Sequence, residues 1–324
     1  MIDIKKLLPS SAIELVDKRL KEDLIRYKDP LTGQLKKNLS EVIEICPACE
    51  SQDWRYEFKK YVFNYVKCNN CGLLHVRERL NDNELDKLYG NDGRSVLQMK
   101  NLYIPTADYR MNTIYNPKAK KIANLKPNGK LLDFGCSAGF FIKAACNQGL
   151  DAYGIETNEF SVNFARELNG TNKIYEGDIR ETSLEKNNFD LITMFDVFEH
   201  VPDPSGLLKV LNPYLKKSGI LVIETSHIDC FEHEYLKAEN TNVLGDVHLM
   251  HFTQKSIEII ANRSGFNIIN KKIFGLDIAH IINFCKRNKK KEMIEMPNEL
   301  IKLIQNNLDD MGRGCYINVE LQKI

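Results

Sequence analysis

The stretch LLDFGCSAGFF at residues 131–141 decides the fold of this chain. Its apolar first half predicts a buried β-strand, and its glycine-rich half predicts a tight turn that leads into a helix. Gly135 and Gly139 lack a Cβ, so the turn can bring backbone N–H groups close to a ligand at the helix N-terminus. A second predicted strand, in YGIETN at 153–158, ends on the acid Glu156. This order is typical of an adenosine-binding α/β unit, in which the acid accepts hydrogen bonds from the ribose hydroxyls.

Three interpretations compete for this turn. Dinucleotide binding needs the spacing G-x-G-x-x-G, and this chain has G-x-x-x-G with Cys136, Ser137 and Ala138 between the glycines, so NAD is disfavoured. The letters GCSAG also fit the G-x-S-x-G elbow of hydrolases with Ser137 as nucleophile, but Asp133 and Glu156 then have no role. A turn of purely structural use is the third interpretation.

Further predicted strands follow downstream. The segment YEGDI at 175–179 predicts a third strand that ends near Asp178, where a carboxylate can hydrogen-bond an adenine amino group. The segment at 187–204, NNFDLITMFDVFEHVPDP, predicts a fourth strand, and LKKSGILVIET at 215–225 predicts a fifth. Together with the glycine turn, these segments resemble the class I S-adenosylmethionine-dependent methyltransferases from about residue 115 to residue 275.

The resemblance implies an α/β fold with a Rossmann-like, seven-stranded methyltransferase sheet that is mostly parallel and has an antiparallel last strand. It also implies that S-adenosylmethionine is the cofactor, with its methionine half at the glycine turn. The residues expected to contact the cofactor are Asp133, Gly135, Cys136, Ser137, Gly139, Glu156, Thr157, Asp178, Ile179, Phe195 and Asp196.

Composition sets the outer bounds. The chain has 324 residues, of which 43% are hydrophobic and 27% charged, as expected for one large domain with an appendage or two. The net charge of +1 gives no overall field that favours nucleic acid or an anionic membrane. No apolar run approaches 18 residues, and the N-terminus predicts a charged amphipathic helix instead of a signal peptide. We therefore expect a cytoplasmic protein without a membrane or nucleic-acid partner.

Four of the nine cysteines are paired, as CPAC at 46–49 and CNNCG at 68–72. The 18 residues between the pairs fall within the spacing of structural zinc sites. The alternation of aromatic and polar residues in WRYEFKKYVFNYVKC predicts the β-hairpin of a zinc ribbon between them. A redox role is the alternative, which two such pairs disfavour. The predicted Zn²⁺ ligands are Cys46, Cys49, Cys68 and Cys71, and the predicted buried thiols are Cys136, Cys146, Cys230, Cys285 and Cys315.

These landmarks divide the chain. We predict an N-terminal helical segment at 1–40, a zinc ribbon at 41–80, a polar and aromatic connector at 81–114, and a methyltransferase domain at 115–324. An insertion at about 275–314 separates the sixth predicted strand from the seventh. It carries a basic run at 286–292, which we interpret as a solvated face.

Transfer of a methyl group to a hydroxyl requires an aligned nucleophile and removal of its proton. The segment GDVHLMHFTQKS at 245–256 resembles an H-x-x-x-F-[ST] element of zinc-ribbon methyltransferases and sugar C-methyltransferases. That resemblance implies that His248 lies over the methyl acceptor as general base, with His251 and His200 as further catalytic candidates. A glutamate precedes this histidine in the sugar C-methyltransferases, whereas Val247 stands here. A structural hydrogen-bonding role for His248 is the alternative.

The segment DVFEHVPDP at 196–204 resembles a motif of ubiquinone-type O-methyltransferases that holds a divalent cation. The resemblance implies Asp196, Glu199 and His200 as candidate ligands, a set that suits magnesium or manganese. The alternative is that this segment has only a structural role at the edge of the cofactor site.

A zinc ribbon joined to this core resembles enzymes that tailor nucleotide sugars, capsular and other surface polysaccharides, and antibiotic sugars. This implies a small-molecule acceptor, such as a hydroxyl of a phosphorylated or nucleotide-linked sugar. Two alternatives stay open: a sugar C-methyltransferase, and a zinc-ribbon interaction module that recruits a protein or RNA beside an inactive scaffold. The sequence does not predict the oligomeric state.

Overall fold

The N-terminal part of the chain forms two helices and several short strands. The computed structural model describes residues 4–288 and 296–324. The predicted hairpin between the cysteine pairs is confirmed, since its two strands pair antiparallel from Trp54 with Cys68 to Lys60 with Phe63. The elements are α1 (Ile4–Leu7), α2 (Ser10–Tyr27), β1 (Ser40–Val42), β2 (Trp54–Lys60), β3 (Phe63–Cys68), β4 (Leu74–Val76) and β5 (Glu78–Leu80).

The predicted connector is mostly helical. Apolar residues recur at helical spacing among its polar ones, so one face packs on the domain and the other stays in water. Met99, Tyr103, Met111 and Tyr115 pack around Phe140, directly after the glycine turn. The elements are α3 (Asp82–Tyr89), α4 (Arg94–Gln98), a π-helical segment (Met99–Tyr103), α5 (Ala107–Arg110), a second π-helical segment (Met111–Tyr115) and α6 (Asn116–Leu125).

A seven-stranded sheet forms the centre of the molecule. Its strands are β6 (Lys130–Phe134), β7 (Asp151–Glu156), β8 (Ile174–Glu176), β9 (Phe189–Phe195), β10 (Leu215–Ser226), β12 (Phe266–Phe274) and β13 (Tyr316–Lys323). They lie in the order β12-β13-β10-β9-β6-β7-β8. Neighbours from β10 to β8 are parallel, whereas β13 is antiparallel to both β10 and β12. The predicted fold class, including the antiparallel last strand, is confirmed.

Because helices cover the sheet, its central strands consist of nearly continuous apolar runs. These helices are α7 (Phe140–Asn147), α8 (Glu159–Asn169), α9 (Pro204–Leu211), α10 (Phe231–Leu236), α11 (Gln254–Arg263), α12 (Asp277–Arg287) and α13 (Asn298–Asp310). The chain leaves β6 first toward β7 and later returns on its other side as β9. Ligands of such sheets bind outside the carboxyl ends of the strands at this switch point. The segments after β6, β7, β9 and β10 meet there.

The ribbon sheet contains a strand from the other end of the chain. The short strand β11 (Met250–His251) pairs antiparallel with β4, in the order β11-β4-β3-β2. Thr253 donates its hydroxyl to the carbonyl of Cys71 at 2.6 Å, and Arg263 donates to the carbonyl of Ala48 at 2.9 Å. The ribbon is therefore hydrogen-bonded to the segment that carries His248 and His251.

The insertion before the last strand holds α12 and α13. The predicted basic run at 286–292 extends past residue 288, so most of it lies outside the described residues. Four of the scattered cysteines are buried, but Cys146 is exposed on α7, so the prediction of a buried thiol is wrong there. Within residues 4–288 and 296–324, none of the helices has the length and apolar character needed to cross a membrane.

Candidate active site

The glycine turn curls tightly between β6 and α7. Gly135 and Gly139 have φ angles of +75° and +71°, which favour glycine. A Cβ on Gly135 would lie 2.6 Å from Val197 Cγ2, so no larger residue fits there without displacement. The N–H groups of Gly135 and Cys136 both donate to the carbonyl of Ile155, at 2.9 and 3.1 Å. These bonds hold the turn against the end of β7.

Glu156 is fixed at the end of β7 by backbone groups. Its Oε2 accepts the N–H of Ser137 at 2.9 Å, and its Oε1 accepts the N–H groups of Thr157 and Asn158 at 2.8 and 3.1 Å. The carboxylate therefore joins the turn to the second strand. The Ser137 hydroxyl contacts the Met99 thioether at 3.8 Å, which is not a base that could activate a nucleophile.

Two predicted cofactor contacts lie beneath the turn. Asp133 is buried and accepts the hydroxyl of Thr193 at 2.7 Å. Burial raises the pKa of Asp133 to about 7, against the opposing effect of the Thr193 hydrogen bond. Cys136 is buried close to Gly154, where an added Cβ would lie 2.7 Å from its sulfur. Both side chains therefore contact neighbouring strands, Asp133 at β9 and Cys136 at β7.

Asp178 lies after β8 and is partly open to solvent. Its Oδ1 accepts the backbone N–H and the Nε–H of Arg180, both at 2.8 Å. The hydrogen bond from the Arg180 side chain lowers the pKa of Asp178. The side chain of Ile179 is buried in the core, and its carbonyl accepts the hydroxyl of Tyr214 at 3.1 Å. A nucleotide at this edge would share Asp178 with Arg180.

Phe195 is the last residue of β9, and Asp196 follows it. The Phe195 ring meets Phe141 edge-on, with 4.8 Å between ring centres. Asp196 has a φ of +55°, a conformation uncommon outside glycine that often marks strain at ligand sites. Burial raises the pKa of Asp196 to about 7, and the nearby carboxylate of Glu199 adds to the shift.

The three predicted catalytic histidines stand in a row. The rings of His200 and His248 have centres 4.9 Å apart, and those of His248 and His251 are 5.9 Å apart. His200 follows β9, whereas the other two come from the segment that enters β11. The fold thus brings together residues that are far apart in the chain.

Hydrogen bonds fix the tautomers of two of these rings. His200 Nδ1 lies 2.8 Å from the carbonyl oxygen of Val247, and His248 Nδ1 contacts the carbonyl oxygen of Asn242. Because a carbonyl oxygen only accepts, Nδ1 carries a proton in both rings, so in the neutral form of either ring the lone pair lies on Nε2. Burial lowers the pKa of His200 and takes that of His251 well below its usual range. His200 and His251 are therefore neutral near pH 7.

A carboxylate lies beside this row. Glu199 is buried, and its Oε2 accepts the hydroxyl of Thr225 at 2.7 Å. Ligand atoms of Glu199, His200 and His248 all lie within 4.8 Å of one another. Asp196 is not in this group, so the fold gathers two of the three predicted cation ligands and adds His248 in place of the third.

A family model described as a methyltransferase domain matches residues 107–271, which is 165 of the 324 residues. The chain belongs to this methyltransferase family.

Its relatives include proteins named ubiquinone biosynthesis O-methyltransferase. The one from Glaesserella parasuis is 30% identical over 139 residues, which cover 39% of this chain and 59% of that protein. The one from Acinetobacter baylyi is 28% identical over 102 residues, which cover 30% of this chain and 43% of that protein. This chain thus spans about half the length of these relatives. A solved S-adenosylmethionine-dependent methyltransferase from Mesorhizobium loti is 19% identical with a TM-score of 0.47, over 66% of this chain and 100% of that one.

Two side chains that contact the predicted site residues have no signal in the sequence. The Tyr89 hydroxyl lies 3.1 Å from His200 Nδ1, and Lys118 Nζ lies 4.2 Å from the centre of the Phe195 ring while pairing with Glu224 at 2.6 Å. Both come from helices before β6, where no local motif marks them. Only the packing of those helices against the sheet edge reveals them.

The four paired cysteines gather beside the methyltransferase domain. Their sulfur atoms all lie within 4.8 Å of one another, with Cys46 and Cys49 each 3.5 Å from a sulfur of the second pair. The Cys71 thiol, together with the N–H groups of Cys49 and Ala48, lowers the pKa of Cys46 to about 5 against the effect of burial. Four converging thiols with N–H groups directed at sulfur fit a tetrahedral metal site.

Proposed function

We propose that this protein transfers a methyl group from S-adenosylmethionine to a hydroxyl of a small molecule, with His248 as the general base. One observation carries the proposal. His200 follows β9 and packs against His248, at the same carboxyl edge of the sheet as the glycine turn after β6 and Glu156 at the end of β7, which is where such sheets bind ligands.

Family membership and the turn support the cofactor. Gly135 and Gly139 adopt the positive φ angles of a tight turn at the start of α7, and Glu156 would accept the ribose hydroxyls. Asp178 would bind the adenine end. When bound, S-adenosylmethionine supplies an electrophilic methyl group. The protein's own task is to orient the acceptor and take its proton.

His248 is the best placed group for that proton. Its Nδ1 is engaged by the carbonyl of Asn242, so the Nε2 lone pair is the basic site of the neutral ring. His200 packs against it with its Nδ1 fixed in the same way. A general base held by such partners needs little reorganisation when the acceptor binds.

Two observations bear on the acceptor. The relatives named O-methyltransferases and the valine at position 247 both favour oxygen over carbon as the methylated atom. The joined zinc ribbon favours a nucleotide-linked sugar, and we take its hydroxyl as the acceptor. Because the relatives are named for ubiquinone biosynthesis, we take an aromatic hydroxyl, such as that of a catechol, as the second candidate acceptor.

We further propose that Cys46, Cys49, Cys68 and Cys71 bind one structural Zn²⁺. A closed site of four thiolates has no open position for chemistry, so this ion would hold the ribbon together.

The direct test supplies labelled S-adenosylmethionine and a panel of acceptors. UDP-glucose and dTDP-glucose represent nucleotide sugars, and 3,4-dihydroxybenzoate represents catechols. The proposal expects label on an oxygen of a nucleotide sugar. Label on the catechol would change the acceptor class, and label on carbon would contradict O-methylation.

Replacement of Glu156 by Gln is expected to weaken S-adenosylmethionine binding about 10- to 100-fold, because hydrogen bonds to a charged group contribute about 1.5–3 kcal/mol. Isothermal titration calorimetry measures the change. Glu159→Gln is the matched control, since Glu159 lies three residues on at the start of α8 and pairs with Asn91 instead. Equal affinity of Glu156→Gln and wild type would show that the ribose does not bind at Glu156.

A second role for the histidine cluster has specific support. Metal-binding imidazoles commonly fix one nitrogen on a backbone carbonyl, as His200 and His248 do here beside Glu199. If these residues hold a divalent cation, EDTA will abolish methyl transfer and Mg²⁺ or Mn²⁺ will restore it. If His248 acts as a free base, the rate in EDTA will be unchanged in samples whose ribbon zinc content, measured in parallel, is unchanged.

A further inference from the structure

A second cluster of metal-binding side chains lies on the C-terminal side of the sheet. Glu232 comes from α10, His280 from α12, and Cys315 from the residue before β13. Ligand atoms of these three residues all lie within 4.8 Å of one another. None of them belongs to the ribbon or to the histidine row.

The carboxylate of Glu232 is incompletely satisfied. Glu232 is 0% exposed, and its Oε2 lies 2.7 Å from His280 Nδ1. Its Oε1 is buried and has no hydrogen-bond partner in the described part of the chain. A buried polar atom without a partner loses its hydrogen bonds to water and gains none in return. A cation between the three side chains would satisfy this oxygen.

A buried aspartate holds two members of the cluster in place. Asp277 is 0% exposed and accepts the backbone N–H groups of Glu232 and Cys315, each at 3.0 Å. Gln305 donates to the same carboxylate at 3.0 Å. A Cβ on Gly275 would lie 2.2 Å from Asp277 Oδ2, so only glycine fits beside this carboxylate without displacing it. Residues from α10, α12, α13 and the start of β13 thus converge on one rigid centre.

The chemistry of the three side chains selects the ion. One thiol, one imidazole and one carboxylate form a mixed set that suits Zn²⁺ and disfavours Mg²⁺ and Ca²⁺, which prefer oxygen alone. Three protein ligands leave a fourth position for water or an anionic group. His280, with 18% of its side chain exposed, forms the open side of the cluster. We propose that Glu232, His280 and Cys315 form a second zinc site, separate from the ribbon and independent of the proposed methyl transfer.

Zinc content per chain tests this proposal. The full-length protein is expressed with added Zn²⁺, dialysed against zinc-free buffer and measured by inductively coupled plasma mass spectrometry. His280→Asn and Cys315→Ala are each expected to contain one equivalent of zinc less than wild type. Cys285→Ala is the matched control, because Cys285 is another buried cysteine, on the same helix as His280 but outside the cluster. It should keep the wild-type content.

Equal zinc content in wild type and both variants would overturn the proposal and leave a buried Glu232–His280 ion pair. X-ray absorption at the zinc edge of the wild-type protein gives a test that needs no variant. A ribbon site alone gives about four sulfur neighbours per zinc, whereas both sites together give an average of about 2.5. Neither measurement uses a cofactor or an acceptor, so failure here is distinct from failure of the methyltransferase proposal.

Discussion

Replacement of His248 by Gln is expected to lower the rate of methyl transfer about 10²- to 10⁴-fold, the usual contribution of a positioned general base. The amide cannot take a proton from the acceptor hydroxyl, although it still fills much of the space. S-adenosylmethionine affinity should stay within about twofold, because the cofactor residues lie on the turn after β6 and at the end of β7. Steady-state rates with the acceptor that the panel identifies, together with calorimetry, measure both quantities.

The control for this variant is His233→Gln. His233 lies on α10 beside Phe58, with 6.0 Å between ring centres, and is outside the row of three histidines. It should keep nearly the wild-type rate. A His248→Gln enzyme with unchanged kcat would refute the general-base role and leave His248 as a structural hydrogen-bonder. A loss confined to KM would indicate that His248 only positions the acceptor.

Short-range patterns predicted the parts of the site that lie next to one another in sequence. The apolar strand, glycine turn and helix around Gly135 and the strand that ends at Glu156 are local patterns, and the alternation between the cysteine pairs predicts the ribbon hairpin. These features needed no knowledge of tertiary contacts. The seven-stranded sheet with its antiparallel last strand was implied by the resemblance to the class I methyltransferases, and the structure confirms it.

Contacts between distant segments could not be predicted in the same way. The strand β11 has only two residues, too few to show alternation, so its pairing with β4 is invisible in the sequence. His200 was placed with Asp196 because they are neighbours in the chain, yet the fold puts it against His248. The cluster of Glu232 and Cys315 joins residues more than 80 positions apart, and only the antiparallel return of β13 beside β10 brings them together.

Replacement of Cys49 by Ser is expected to release the ribbon zinc and to lower methyl transfer more than about tenfold, with S-adenosylmethionine affinity kept within about threefold. A structural Zn²⁺ contributes on the order of 10 kcal/mol to folding of its module, so a ribbon that lacks one thiolate should lose its order. The strand β4 then no longer holds β11, and the hydrogen bond from Thr253 to Cys71 is lost. The predicted defect is specific because these contacts hold the histidine segment, whereas the glycine turn is held by β7.

Zinc content, calorimetry and rate assays on this variant discriminate between roles of the ribbon. Cys146→Ser is the matched control, because Cys146 is exposed on α7, and it should behave as wild type. A Cys49→Ser protein that has lost the ribbon zinc but keeps full methyl transfer would show that the ribbon does not position His248, and would favour the interaction module that recruits a partner. Loss of cofactor binding together with turnover would mean that the ribbon stabilises the whole sheet. Retained cofactor binding with lost turnover is the outcome that assigns the ribbon to the acceptor side of the crevice.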